Sequence, residues 1–311
     1  MFTLFACPKG FVNPHISLIQ RNAIFSWTLL NPRPEIILCG SEKGVAELSK
    51  ELGLMHIRDI SVNEFGTPLV NDIFEKAQRR ASFDLLCYAN ADIIFTYHLT
   101  RAIKQASSLR KLFLVAGRRW DIDIIQPLDF SPGWERELQQ EVLKRGKLRD
   151  QYMIDYFVFP RGLWEKIPQF ALGRYWWDQW LLYRARCLNA DLIDSTASVL
   201  AIHQRHDHSH HAQDFGQILP KPWLQTFEGR RNLHLSGGYG HQLDLYDATH
   251  RLTQHGMRLA WRSKLRSWAG YFRWIKKIHP RLSEILLEWF HRTYEKNIHK
   301  SLSKKSNSAR T

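Results

Sequence analysis

The sequence predicts an α/β fold: a mainly parallel central sheet flanked by helices, with a helical extension at the C-terminus. Three observations carry that expectation. Short apolar runs, suited to strands buried on both faces, alternate with helical patterns of about 10–15 residues, the order that a parallel sheet with right-handed crossovers requires. The chain has 311 residues, 44% of them hydrophobic, ample for one large domain and an appendage. The net charge of +14 is also uneven: residues 257–311 hold 14 Lys/Arg against 3 Asp/Glu, so the preceding body is nearly neutral.

Thr3-Leu4-Phe5-Ala6 reads as a first buried strand entering a loop at Cys7-Pro8-Lys9-Gly10. Asn13-Pro14 supplies a helix cap followed by proline at the first helical position, and Ile16, Ile19, Ala23, Trp27 and Leu30 recur at helical spacing. Glu35 to Gly40 is a second strand, Ser41 caps a helix that Gly53 ends, and His56 to Val62 is a short third strand. After the loop Asn63-Glu64-Phe65-Gly66, Thr67-Pro68 opens a helix through Ile73, Phe74 and Ala77.

Phe83 to Phe95 is the stretch around which the rest is organised. A nearly all-apolar run is interrupted by Asn90 and Asp92 and then resumes. In extended chain those two side chains project together, and a carboxylate at the end of a central strand sits where open α/β sheets bind ligands. The alternative is a polar turn between two strands. A helix over Leu99–Ala106, a strand over Lys111–Gly117, a charged solvated helix over Glu135–Arg149 and a strand over Ile154–Pro160 follow.

Arg174 to Leu188 reads as an amphipathic helix with Asp178 in its first turn, where the helix dipole favours the ionised carboxylate. It suits either a general base beside a sugar or a helix-start Asp with its tryptophans in the core. After a strand at Ser198–Ile202, residues 203–211 contain five histidines: His203, His206, His208, His210 and His211. With a nearby carboxylate they suit a divalent-metal site, and otherwise form a His-rich loop. Lys221-Pro222-Trp223 and Asn232–Gly240 read as a loop-rich stretch and Asp244–His255 as helical. Beyond, Trp261, Leu265, Trp268, Phe272 and Ile275 form an apolar stripe beside basic residues. That pattern fits an anchor on an anionic membrane surface or a helical hairpin packed on the body, and Ser301–Thr311 is expected to be disordered.

Cys7, Cys39, Cys87 and Cys187 match neither a zinc motif nor a disulfide framework, which predicts buried free thiols in a reducing compartment. There is no secretory-type N-terminus and no run of roughly 20 apolar residues. The twelve Trp and ten Tyr suit carbohydrate stacking and ordinary packing equally.

Over residues 1–215 the chain resembles the GT-A-fold glycosyltransferases, the nucleotide-diphospho-sugar transferase superfamily. The resemblance rests on the strand ending in Pro8, the loop Asn63–Asn71 with Gly66, Asn90-Ala91-Asp92 where the family carries Asp-x-Asp, Asp178 where inverting members carry a base, and His203–His210 after the last core strand. It implies a GT-A-type Rossmann-like sandwich over residues 1–256, to which the sequence pattern adds a basic amphipathic helical extension over 257–300 and a disordered tail over 301–311. It further implies Pro8, Lys9, Asn71, Asn90, Asp92 and Arg118 on the nucleotide sugar, with Arg119 a further candidate cation. Asp92, His203 and His206 would hold Mn²⁺ or Mg²⁺, and Asp178 would be the catalytic base. The sequence departs from the family at Asn90, which replaces the first Asp, and at Trp177, which replaces the Glu before the base.

The function expected is transfer of a sugar from a nucleotide-sugar donor to an acceptor hydroxyl on a glycan, lipid or protein, inverting and assisted by a divalent cation. The place expected is the cytoplasm, peripherally on the inner membrane face. The competing readings are a nucleic-acid-binding protein using the basic tail, disfavoured by the neutral body, and a metal-dependent hydrolase built on the histidines.

Overall fold

The computed structural model describes residues 1–206, 226–253 and 255–260. The chain runs β1 (Thr3–Ala6), α1 (Pro14–Thr28), β2 (Glu35–Cys39), α2 (Val45–Leu52), β3 (Met55–Ile57), α3 (Val70–Arg80), β4 (Leu85–Ala89) and β5 (Ile93–Ile94). It continues through α4 (His98–Leu109), β6 (Phe113–Ala116), β7 (Arg119–Ile122), α5 (Trp134–Arg145), β8 (Lys147–Leu148), β9 (Tyr156–Pro160) and α6 (Trp177–Cys187). The last elements are β10 (Asp191–Asp194), β11 (Ala201–Gln204), α7 (Phe227–Leu235), β12 (His250–Thr253) and β13 (Gly256–Leu259).

Nine strands form the main sheet in the order β13-β12-β10-β6-β9-β4-β1-β2-β3. It is mainly parallel, as expected. The exceptions are β9, antiparallel to both neighbours in the middle, and β13, which closes a hairpin at the edge. A smaller sheet, β5-β11-β7-β8, stands beside it.

Alternation along the strands builds one core on each face of the main sheet. Leu4, Ala6, Ile36, Leu38, Cys87 and Tyr156 face one core, with Trp27 of α1 and Trp120 of β7. Phe5, Ile37, Leu86, Tyr88, Phe157 and Phe159 face the other, with Phe74 of α3 and Trp177 of α6. Ring contacts bind the second core tightly: Phe74 stacks on Phe159 at 5.7 Å and Trp177 meets Tyr88 edge-on at 5.4 Å. Trp177 and Trp180 are therefore core residues, the packing alternative for the helix carrying Asp178.

The Asn13 side chain accepts from the backbone N–H of His15 and Ile16 as a helix cap should, at 2.9 and 3.1 Å. Other boundaries move. Gly44, at φ +91°, starts α2 in place of Ser41, because a left-handed turn at residues 42–44 precedes the helix. Thr67 and Pro68 belong to the loop, and α3 begins only at Val70. Asp244–His255, expected as a helix, contains a short 3-10 turn and then β12, which pairs antiparallel with β13. Leu252 pairs there against Met257. Phe227–Leu235 is a helix, its last residues Asn232–Leu235 falling where loop was expected, and the Thr226 hydroxyl caps it by accepting from the Gly229 N–H at 3.0 Å.

All four cysteines are free thiols, but they are not uniformly buried: Cys187 is exposed and Cys7 is partly so. Among the described residues no helix is long and apolar enough to cross a membrane. The expected tail helices, the disordered tail, His208, His210, His211 and Lys221-Pro222-Trp223 lie outside the described residues.

Candidate active site

The parallel strands β1, β2 and β4 all end beneath one cleft of about 420 Å³, within the range of small-ligand sites. Pro8 and Lys9 follow β1, Glu42 follows β2, Gly66 to Pro68 follow β3, and Asn90 to Asp92 follow β4. Arg119, Arg174, His203 and His206 complete the polar lining.

Asn90 and Asp92 do not lie in extended chain. The Ile93 N–H bonds the Asn90 carbonyl at 3.2 Å, so the triplet is a turn, and its two strands belong to different sheets. The turn still delivers both side chains to the cleft. Asn90 donates to Asp155 Oδ1 at 2.7 Å and accepts from the Tyr88 hydroxyl at 3.0 Å. The Gln204 amide grips the Asp92 carbonyl at 3.1 Å and the Ile19 carbonyl at 2.7 Å, fastening the turn to α1.

Asp92 Oδ2 lies 3.1 Å from His206 Nε2 and 3.7 Å from His203 Nε2. Ligand atoms of these three residues all fall within 4.8 Å of one another. His203 belongs to β11 and not to a following loop, and in the ladder it stands opposite Asp121 of β7. Its Nδ1 faces Asp121 Oδ1 at 3.0 Å, which directs Nε2 toward Asp92, the arrangement usual behind metal-binding histidines. Burial raises the Asp92 carboxyl's pKa, but the His203 charge, the His206 hydrogen bond and Arg119 outweigh it and hold the group well below the usual range. Asp92 Oδ1 is buried without a hydrogen-bond partner. An orphaned carboxylate oxygen beside two imidazole nitrogens fits a divalent cation, and this N,N,O donor set suits Mn²⁺ better than Mg²⁺.

Arg119 joins this cluster to the other side of the site. Its guanidinium lies 3.0 Å from Asp121 Oδ1 and donates to Asp155 Oδ2 at 2.9 Å, with all three side chains nearly buried. Asp178 lies beyond, near enough to Asp155 for the like charge to act on it. Here the expectation from the helix dipole is reversed. Burial is the larger effect, and together with Asp155 it raises the Asp178 carboxyl to about 7 against the backbone N–H bonds of the helix start. Asp178 is only partly exposed, its Oδ1 is buried without a hydrogen-bond partner, and the residue is not itself part of the cleft lining. Two residues earlier, Trp176 holds φ +88°, a left-handed conformation costly for a bulky side chain and typical of functional sites.

Two expected donor-side residues stand elsewhere. Arg118 is buried, its backbone N–H on the Thr196 hydroxyl at 2.9 Å and its Nε on the Arg149 carbonyl, and it does not line the cleft. Neighbouring residues of a strand point to opposite faces, so Arg119 and not Arg118 lines the cleft. Asn71, in the first turn of α3, is also not part of the lining, and its Oδ1 is buried without a partner. Residues that sequence reasoning missed are Asp121, Asp155, Arg174 and Glu228. Alternation in Arg119-Trp120-Asp121-Ile122 was the available signal for Asp121, since it places Arg119 and Asp121 on one face.

No protein-family model matches the sequence, and no curated protein does. Solved structures of related outline do. S. aureus TarS 1-349 is 8% identical with a TM-score of 0.39, covering 66% of this chain, which in turn spans only 58% of that chain. Mannosyltransferase PcManGT from Pyrobaculum calidifontis, solved with GDP-Man and Mn²⁺, is 13% identical with a TM-score of 0.42, covering 100% of this chain and 88% of its own. Glucosyl-3-phosphoglycerate synthase from Mycobacterium tuberculosis, solved with Mn²⁺, UDP and glucosyl-3-phosphoglycerate, is 13% identical with a TM-score of 0.44, covering 76% and 80%.

Proposed function

We propose that the chain is a glycosyltransferase that moves a sugar from a nucleotide-sugar donor to an acceptor hydroxyl with inversion. The observation that carries this reading is the meeting of Asp92, His203 and His206 in a cleft at the strand ends, with Asp178 reached through Arg119 and Asp155. The cleft floor, with Pro8 and Lys9 on one side and Gly66 to Pro68 on another, receives the nucleotide.

Asp92, His203 and His206 would hold Mn²⁺, the better fit, or Mg²⁺. When bound, such an ion supplies positive charge to the diphosphate as it departs. Asp121 keeps His203 in the tautomer that offers Nε2, and Arg119 pairs with both Asp121 and Asp155 behind it. Asp178 takes the proton from the acceptor hydroxyl as that oxygen attacks the anomeric carbon. A carboxyl raised to about 7 by burial is matched to that task, being a stronger base than an ordinary Asp. Residues 261–300 would rest on an anionic inner membrane face, giving a cytoplasmic, peripheral enzyme whose acceptor is a glycan, lipid or protein.

A thermal-shift screen of nucleoside diphosphates and nucleotide sugars, with and without Mn²⁺, tests the reading. A stabilisation by one nucleotide that requires the ion is expected, because a ligand confined to the folded state raises its melting temperature. No response to any nucleotide would contradict it. For the tail, co-sedimentation with anionic vesicles should fall when residues 261–311 are removed.

A further inference from the structure

Leu172, Gly173 and Arg174 of the cleft lining come from the segment between β9 and α6, and α7 holds that segment in place. Glu228 and Asn232 stand one helical turn apart and share a face of α7. Asn232, fully buried, accepts from the Ala171 N–H at 2.9 Å and donates to the carbonyls of Ala171 and Tyr175 at 3.0 and 3.1 Å. Glu228, 5% exposed, accepts from Arg174 through Oε2, with Nε at 2.8 Å and Nη2 at 2.6 Å. Its Oε1 accepts from Asn63 Nδ2 at 2.7 Å, and the Thr67 side chain adds a further hydrogen bond. Asn63 in turn folds its own loop by accepting from the N–H groups of Phe65 and Thr67 at 3.0 and 2.9 Å. One buried carboxylate therefore ties two rim segments of the cleft together, Gly66–Pro68 and Leu172–Arg174.

The cations of the cleft differ in what already occupies them. Arg119 is held between the carboxylates of Asp121 and Asp155. Arg174 meets one carboxylate, and that carboxylate's charge is shared with Asn63 and Thr67. A guanidinium presents five N–H donors in a rigid planar fork. Glu228 takes the Nε and Nη2 edge, which fixes the plane of the group while the side chain lines the cleft at 17% exposure.

We propose that Arg174, oriented by Glu228, binds a phosphate oxygen of the donor's diphosphate. This inference rests on the nucleotide-sugar reading and assigns Arg174 the charge-pairing role that Arg118 was expected to fill. Glu228 is a positioning residue, acting through Arg174 and the Asn63 loop.

Isothermal titration of the full chain with uridine, UDP, guanosine and GDP, with and without Mn²⁺, tests it. Loss of a charge-assisted hydrogen bond predicts that Arg174→Gln weakens the preferred diphosphate about 10–100-fold and leaves its nucleoside unchanged. Arg174→Lys, keeping the charge without the fork, should restore part of the diphosphate affinity. Glu228→Gln keeps the side chain's shape and should weaken the diphosphate less than Arg174→Gln does, again sparing the nucleoside. A merely structural role would weaken nucleoside and diphosphate alike, and that outcome, or unchanged diphosphate binding by Arg174→Gln, overturns the inference while the nucleotide-sugar reading stands. A wild-type chain that binds neither UDP nor GDP in any condition overturns both.

Discussion

Asp92 and Asp178 are the same side chain at two ends of one charged chain, and their surroundings push them in opposite directions. Asp92 is surrounded by His203, His206 and Arg119 and is held ionised far below the usual range. Asp178, half-buried at the start of α6 with Asp155 as its charged neighbour, is raised to about 7. Burial raises both; at Asp92 the nearby cations outweigh it, whereas at Asp178 burial prevails and the neighbouring Asp155 adds to it. Two carboxylates separated in this way can divide the work, one as a permanent anion for a cation, the other as a base that exchanges a proton near neutrality.

The largest effect expected is at Asp178. Asp178→Asn should lower kcat by about 10²–10⁴-fold while the protein stays folded, the usual contribution of a general base. The same variant sharpens the contrast through stability. A folded-state pKa above the unfolded value means that the native form binds the extra proton, so stability is lost as pH rises from about 4 through 7. The neutral amide escapes that loss. Its melting temperature relative to wild type should therefore climb across that window and level off above it, which melting curves at successive pH values would measure.

Arg119 connects the two ends, and breaking it should cost nearly as much. Arg119→Met leaves Asp121 and Asp155 buried without their shared cation, a loss of about 3–5 kcal/mol by denaturant unfolding at neutral pH. The smallest change is expected at Asp121, one step behind His203. Asp121→Asn should weaken Mn²⁺ binding about 10–100-fold, measured by titration with electron paramagnetic resonance of the free ion, without moving the protonation of Asp178.

Much of this framework was legible in the sequence because it depends on local rules. Nearly continuous apolar runs marked β1, β2, β4, β6 and β9, and Asn13-Pro14 marked the start of α1. Turn-to-helix boundaries were less legible: Gly44 and Val70 begin helices where Ser41 and Thr67-Pro68 looked suitable, since tertiary contacts choose among nearby starts. The hairpin of β12 and β13 was misread because four-residue strands carry too few positions to separate the two periodicities. At the site, Asp92 and His203 could be singled out by residue type. Arg118 and Arg119 could not be told apart without the register, since one step along a strand reverses the face. Glu228 was out of reach, because its importance lies in contacts with Asn63 and Arg174, which are 165 and 54 residues away.

The opposed protonation of the two aspartates is open to direct observation. Protein labelled with ¹³C at the Asp side-chain carbon, titrated by NMR from pH 3 to 9 alongside Asp178→Asn and Asp92→Asn, reports each carboxyl separately. The resonance lost in Asp178→Asn should titrate near 7, and the one lost in Asp92→Asn should stay ionised throughout. Both carboxyls titrating together near pH 4 would contradict the account.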